Sequence, residues 1–97
     1  MICEITVEAK ADIQEIWLHI AQDNPTAANS VEEDIYSACQ WVAQRPGVGH
    51  RRRSLTRAPV LFWTVRTSYL VVYRIVPGGV EILRVLHAAR DAEEELG

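Results

Sequence analysis

Residues 69–91 read YLVVYRIVPGGVEILRVLHAARD, two apolar runs joined at Pro77-Gly78-Gly79. Val, Ile, Leu and Tyr suit a pleated, packed surface, Pro77 fixes φ, and the two glycines tolerate positive φ, so the stretch predicts a β-hairpin. Alternate residues of a strand face opposite sides of the sheet. Simple alternation puts Val80, Ile82, Arg84 and Leu86 on one face and Glu81, Leu83, Val85 and His87 on the other. In the first run it separates Tyr69, Val71, Tyr73 and Ile75 from Leu70, Val72, Arg74 and Val76. Neither face is polar, whereas an antiparallel sheet with one wetted face alternates cleanly. Cover is therefore expected on both sides, from helices of the same chain on one and from a partner on the other.

The rest of the chain supplies the helices. Met1 to Ile5 fits a brief edge strand, and Thr6 is a good N-cap with Glu8 in the first helical turn. Ala9, Ile13, Ile16, Trp17 and Ile20 then recur at helical spacing. Asn24-Pro25 stops that helix and starts another, since Asn caps well and Pro is pre-organised for the first helical position. Ala28, Val31, Ile35, Ala38 and Val42 give the second its apolar stripe. So short a connection makes an antiparallel helical hairpin over about residues 7–44. A loop from Arg45 to about Ala58 leads to an apolar run at Val60–Val65, then a turn at Arg66-Thr67-Ser68. The expected fold is α+β: a short N-terminal strand, the helical hairpin, then a three-stranded antiparallel meander over about residues 60–87, with the helices on one face. An acidic tail over about residues 91–97 closes the order.

The 97 residues make a single domain, large enough to hold a core without metal or disulfide staples. No run approaches the roughly twenty apolar residues of a membrane span, and residues 1–8 lack signal-peptide features, so a cytoplasmic location without membrane contact is expected. Cys3 and Cys39 lack CxxC spacing and read as small hydrophobes, and no metal or cofactor is expected. The net charge of −3 conceals an asymmetry: Met1–Gln44 holds one Lys and eight acids, and Arg45–Arg90 nine Arg and one Glu. A basic half built only of Arg suggests contact with carboxylates or phosphates, whose geometry the guanidinium fork matches. Alternatively, the arginines neutralise the acidic helices of their own chain.

Four motifs stand in this order: Ala9-x-x-Asp12-Ile13-x-x-Ile16-Trp17, Arg45-Pro46-Gly47-x-Gly49, Tyr69-x-x-x-Tyr73-Arg74, and Arg84-Val85-Leu86-His87-x-x-Arg90-Asp91. Together, over nearly the whole chain, they resemble the ParE branch of the ParE/RelE toxin superfamily, the toxin half of type II toxin-antitoxin modules. The resemblance implies a bacterial toxin, associated with plasmid stabilisation and held inactive by a cognate antitoxin. That antitoxin would lay a helix in an apolar groove and add a strand, giving a hetero-oligomer. ParE-type members characteristically poison DNA gyrase, whereas RelE-type members cut mRNA on the ribosome.

Cutting RNA through its 2′-OH needs a base, an acid and cations converging on one phosphate. The candidates are Tyr73, Arg84, His87 and Arg90, but Arg84 and His87 differ in parity and part company unless the strand bulges or ends between them. The chain also has one Lys, Lys10, and lacks the basic cluster with a C-terminal Tyr that a likeness to the nucleases would require. Gyrase poisoning is favoured, with ribosome-dependent cleavage and an inert antitoxin-binding module as alternatives. Partner contacts are expected at Arg51, Arg52, Arg53, Arg57, Trp63, Arg66, Tyr69, Tyr73, Arg74, Arg84, His87 and Arg90, without sequence-specific DNA recognition by this chain alone. Each has a structural alternative. Tyr69 and Tyr73 are also sheet-packing aromatics, His87 a hydrogen-bonded strand-end residue, Arg90-Asp91 an internal pair, and Arg84 a partner of Glu81 or a helix acid. Trp17, Trp41 and Trp63 read as core or groove anchors. Only the triplet Arg51-Arg52-Arg53 lacks a folding reason.

Overall fold

A computed structural model of the chain describes residues 1–91. Its elements are β1 (Ile2–Ile5), α1 (Val7–Ala21), α2 (Pro25–Gln44), a 3-10 turn at Pro46–Val48, β2 (Leu61–Val65), β3 (Tyr69–Val76) and β4 (Gly79–His87). They form the expected α+β arrangement, with the helical hairpin on one face of a sheet of order β1-β4-β3-β2. Apart from Asp91, the acidic tail lies outside the described residues.

Both helices begin where the capping residues dictate. The Thr6 hydroxyl accepts from Ala9 N–H at 3.1 Å and donates to Leu83 C=O at 2.9 Å, so one side chain caps α1 and ties it to β4. The Asn24 carbonyl oxygen accepts from Ala27 N–H at 3.0 Å, with Pro25 in the first position of α2. The buried stripes Ala9, Ile13 and Ile16 of α1, and Val31, Ile35, Cys39 and Val42 of α2, meet Val71, Tyr73, Val80, Ile82 and Val85 of the sheet. Each fully buried large aliphatic side chain contributes roughly 1.5–3 kcal/mol there. Trp17 links the two helices, its indole N–H donating to Asn29 Oδ1 at 2.8 Å.

The meander is antiparallel, but β1 pairs with β4 in parallel, from Ile2 opposite Gly79 to Ile5 opposite Ile82, and the sheet is mixed. Between β1 and β4 the chain runs through both helices, β2 and β3, a path long enough to bring β4 back parallel to β1. The β3–β4 turn holds Pro77 and then Gly78 at φ +84°, the combination a type II turn requires. By contrast, the β2–β3 turn places Arg66 and Thr67 at φ +53° and +59° without any glycine.

Simple alternation fails in β4. Val72 pairs with Arg84 but Tyr73 with Ile82, so Leu83 is an extra residue in a β-bulge. Beyond it the faces exchange: Val80, Ile82 and Val85 share the helix-side core, whereas Leu83 and Leu86 belong to the opposite face.

The expectation that a partner covers that opposite face is also corrected. Phe62, Leu70, Val72 and Leu86 are buried there within the single chain, with Val60, Leu55 and Ala88 completing the cluster. The loop ahead of β2 folds back because His50 and Phe62 exchange main-chain hydrogen bonds of 3.0 and 2.8 Å. That bridge carries Leu55 over the sheet.

Candidate partner-binding surface

The loop that closes the sheet also gathers positive charge. Arg51, Arg52, Arg53 and Arg57 surround a cavity of about 590 Å³ together with Thr56. Two main-chain bonds, from Leu55 N–H and Thr56 N–H to Arg52 C=O, tighten the turn, and Arg52 Nε donates to His50 Nε2 at 3.1 Å. Among the described residues no carboxylate lines the cavity. The Arg triplet and Arg57, separate in the sequence, thus form one feature.

The four residues considered for RNA cleavage do not meet. Tyr73 is fully buried, and its hydroxyl donates to Pro46 C=O at 2.7 Å while accepting from Gly49 N–H at 2.8 Å. Burial pushes the phenol above its ordinary range, and the Gly49 N–H only partly opposes this. A Cβ on Gly49 would lie 2.5 Å from that hydroxyl, so the Arg45-Pro46-Gly47-x-Gly49 motif is the turn that closes on Tyr73. Arg84 grips Asp12 of α1 through Nε at 2.7 Å and Nη2 at 2.9 Å, and the same carboxylate accepts Val85 N–H at 3.0 Å. Asp12 thereby occupies the outer edge of β4 beyond the last residue paired with β1. The bulge falls before Arg84 and leaves it and His87 apart.

His87 and Arg90 do share a cavity, of about 190 Å³, with Tyr69, Ile16 and His19. His87 lies edge-on to Tyr69 at 5.7 Å, and its Nδ1 accepts Arg90 N–H at 3.2 Å. The Arg90 guanidinium is directed to Asp91 at 2.8 and 3.2 Å and holds that carboxyl below the usual carboxylate range. His19 was not singled out in the sequence, although it follows Ile16 by one helical turn.

Elsewhere Arg74 pairs with Glu81 across the hairpin at 2.6 Å, and Arg66 with Asp34 of α2 at 2.5 Å. Trp63 stacks on Trp41 of α2 with centroids 4.8 Å apart, and Arg45 lies over the Trp41 ring at 4.5 Å. This ladder borders an open groove of about 390 Å³ between α2 and β2. Trp41 is exposed there on α2. Trp41 and Arg45 are absent from the expected contacts; Trp41 lies next to an apolar stripe, and a sequence cannot tell rim from core. Burial raises the Cys39 thiol to about 12 and the Cys3 thiol also moves up, consistent with inert small hydrophobes. Among the described residues no group of three His, Cys, Asp or Glu is placed to hold a metal ion, and no helix is long and apolar enough to cross a membrane.

Fold and surface together define a small α+β domain whose described surface carries cationic and aromatic patches. Residues 3–92 match the family model of the ParE toxin of type II toxin-antitoxin systems. The chain belongs to that family, which implies an antitoxin partner. It is 31% identical over 90 residues to Toxin ParE1 of Caulobacter vibrioides, covering 92% of this chain and 91% of that protein. A solved chain of the chromosomal ParDE system from P. aeruginosa shares the fold, with a TM-score of 0.72 and 20% identity over 87% of this chain and 91% of the other.

Proposed function

We propose that this toxin acts by binding and inhibiting DNA gyrase, without catalysis of its own, and that a cognate antitoxin neutralises it in the cytoplasm. The observation that carries the binding mode is the dispersal of Tyr73, Arg84, His87 and Arg90: one is locked to a turn, one is paired with Asp12, and the remaining two sit with Asp91. Base, acid and phosphate-binding cations that do not converge cannot share one transition state. Gyrase as the target rests on the resemblance to the ParE branch. The groove beside Trp41 and Trp63 suits an amphipathic antitoxin helix. Strand addition has room at the outer edge of β2 beyond Phe62, whose own edge is occupied by His50.

The test is a supercoiling assay with purified gyrase and the full chain. Inhibition or trapped DNA breaks, relieved by the antitoxin, is the expected result. Undiminished gyrase activity at excess toxin rejects the reading, and codon-specific cuts in a toeprint of translated mRNA would replace it with ribosome-dependent cleavage.

A further inference from the structure

We propose that the arginine cavity of the loop ahead of β2 is a docking site for the phosphodiester backbone of nucleic acid. Arg51, Arg53 and Arg57 are exposed and have no carboxylate partner among the described residues. Four like charges drawn around one cavity repel one another, and of the four only Arg52 makes a side-chain hydrogen bond within the described residues, to His50, whereas an anion placed between them converts repulsion into attraction. The loop is held in advance of any ligand. Leu55 is packed into the far-face core, His50 is bridged to Phe62, and Arg52 is hydrogen-bonded to His50. A site already held in place spends little entropy on ordering when it binds.

The lining decides between an acidic polypeptide and phosphates. A peptide helix needs apolar pockets at helical spacing, but the apolar contribution here is Ala58 and Val60, and Val60 is buried. Among the described residues no aromatic ring lines the cavity on which a base could stack, so the contact reads the backbone and not the sequence. Guanidinium forks fit phosphate oxygens in bidentate fashion, and a volume of about 590 Å³ admits a phosphate with its sugar. With a net charge of −3 and eight acids in residues 1–44, the chain as a whole does not attract DNA, so binding is weak and salt-sensitive. This site goes beyond the gyrase reading and stands without it.

Fluorescence anisotropy of a labelled 20-base-pair duplex, titrated with the purified full chain between about 50 and 200 mM salt, tests the proposal. Three to four neutralised phosphates give a log–log salt slope of about −2.7 to −3.6. The triple variant R51A/R53A/R57A should bind at least about tenfold more weakly with a slope no steeper than about −1, since Arg52 alone remains, while R51K/R53K/R57K keeps most of the slope because charge dominates backbone contacts. R66A, removing an arginine already paired with Asp34, should change neither. Unchanged thermal melting of the alanine variant guards against misfolding. Duplex binding that is absent or insensitive to salt, or retained in the alanine variant, overturns the proposal. Displacement of the duplex by polyglutamate at equal charge concentration would also overturn it, assigning the cavity to acidic polypeptide instead.

Discussion

Replacing Tyr73 with Phe separates a structural tyrosine from a functional one. The substitution keeps the ring in the core and removes only the hydroxyl, leaving Gly49 N–H and Pro46 C=O without the partners they meet at 2.8 and 2.7 Å. Each lost hydrogen bond costs about 1 kcal/mol net, with up to about 3 for a group kept from water. Because the turn lies at the surface, with Gly47 exposed, water reaches part of it and the lower end applies. A total of about 2 kcal/mol follows, or a fall in Tm of about 8–16 °C for a domain of this size. Thermal unfolding must be followed on the free toxin, because a bound antitoxin would add its own stabilisation. Gyrase inhibition per folded molecule, measured well below the transition, should equal that of the parent chain. A variant that melts within 2 °C of the parent (about 0.5 kcal/mol) yet loses inhibition would refute the assignment of Tyr73 to the Pro46–Gly49 turn.

The Asp12–Arg84 pair lends itself to a double-mutant cycle. D12A should cost about 2–3 kcal/mol, since it removes a bidentate contact and the acceptor of Val85 N–H, and the coupling with R84A should exceed about 1 kcal/mol in denaturant titrations; additive costs would deny the pair a structural role. T67G should stabilise the chain by about 0.5–1 kcal/mol, because relief of the left-handed conformation at φ +59° outweighs the entropy of glycine; chemical denaturation reads the sign. Alkaline titration tests the buried thiol. Cys39 ionises near 9.0 when unfolded and only at about 12 when folded, so the unfolded chain loses its proton first and stability falls as pH rises through that window. The fall is about 1.4 kcal/mol per pH unit from this one group. C39A should flatten that slope, and an unchanged slope would mean the thiol is not the titrating group.

How much was legible depended on whether an element is specified locally. Thr6, Asn24 and Pro25 act within one helical turn of themselves, so both helix starts could be read directly. The β3–β4 turn carried its glycine at the position that needs positive φ. The bulge at Leu83 had no such mark, since nothing in a leucine announces an extra residue, and one unmarked insertion reversed every face assignment after it. The parallel pairing of β1 was hidden for a related reason: four residues carry no signal of strand direction. At the surface, single-residue chemistry was readable but pairing was not. Arg84 called for an acid, and that the acid is Asp12, seventy-two positions away, is a property of the packed helix.

The charge asymmetry of the chain now divides into two parts with different causes. Arg66 and Arg84 reach back to Asp34 and Asp12 on the helices, Arg74 and Arg90 use Glu81 and Asp91 close by, and Arg45 rests on Trp41. For these five the explanation that the basic half serves its own fold is sufficient. It fails at Arg51, Arg53 and Arg57, which crowd together with the His50-bonded Arg52 where the described residues offer no acid. The same loop has a folding task, carrying Leu55 onto Phe62, Leu70, Val72 and Leu86, and that task requires only an apolar anchor and a turn. Neutral residues beside Leu55 would close the sheet as well and would avoid the mutual repulsion. The arginines of this loop are therefore the part of the surface for which an external anion gives the sufficient physical reason.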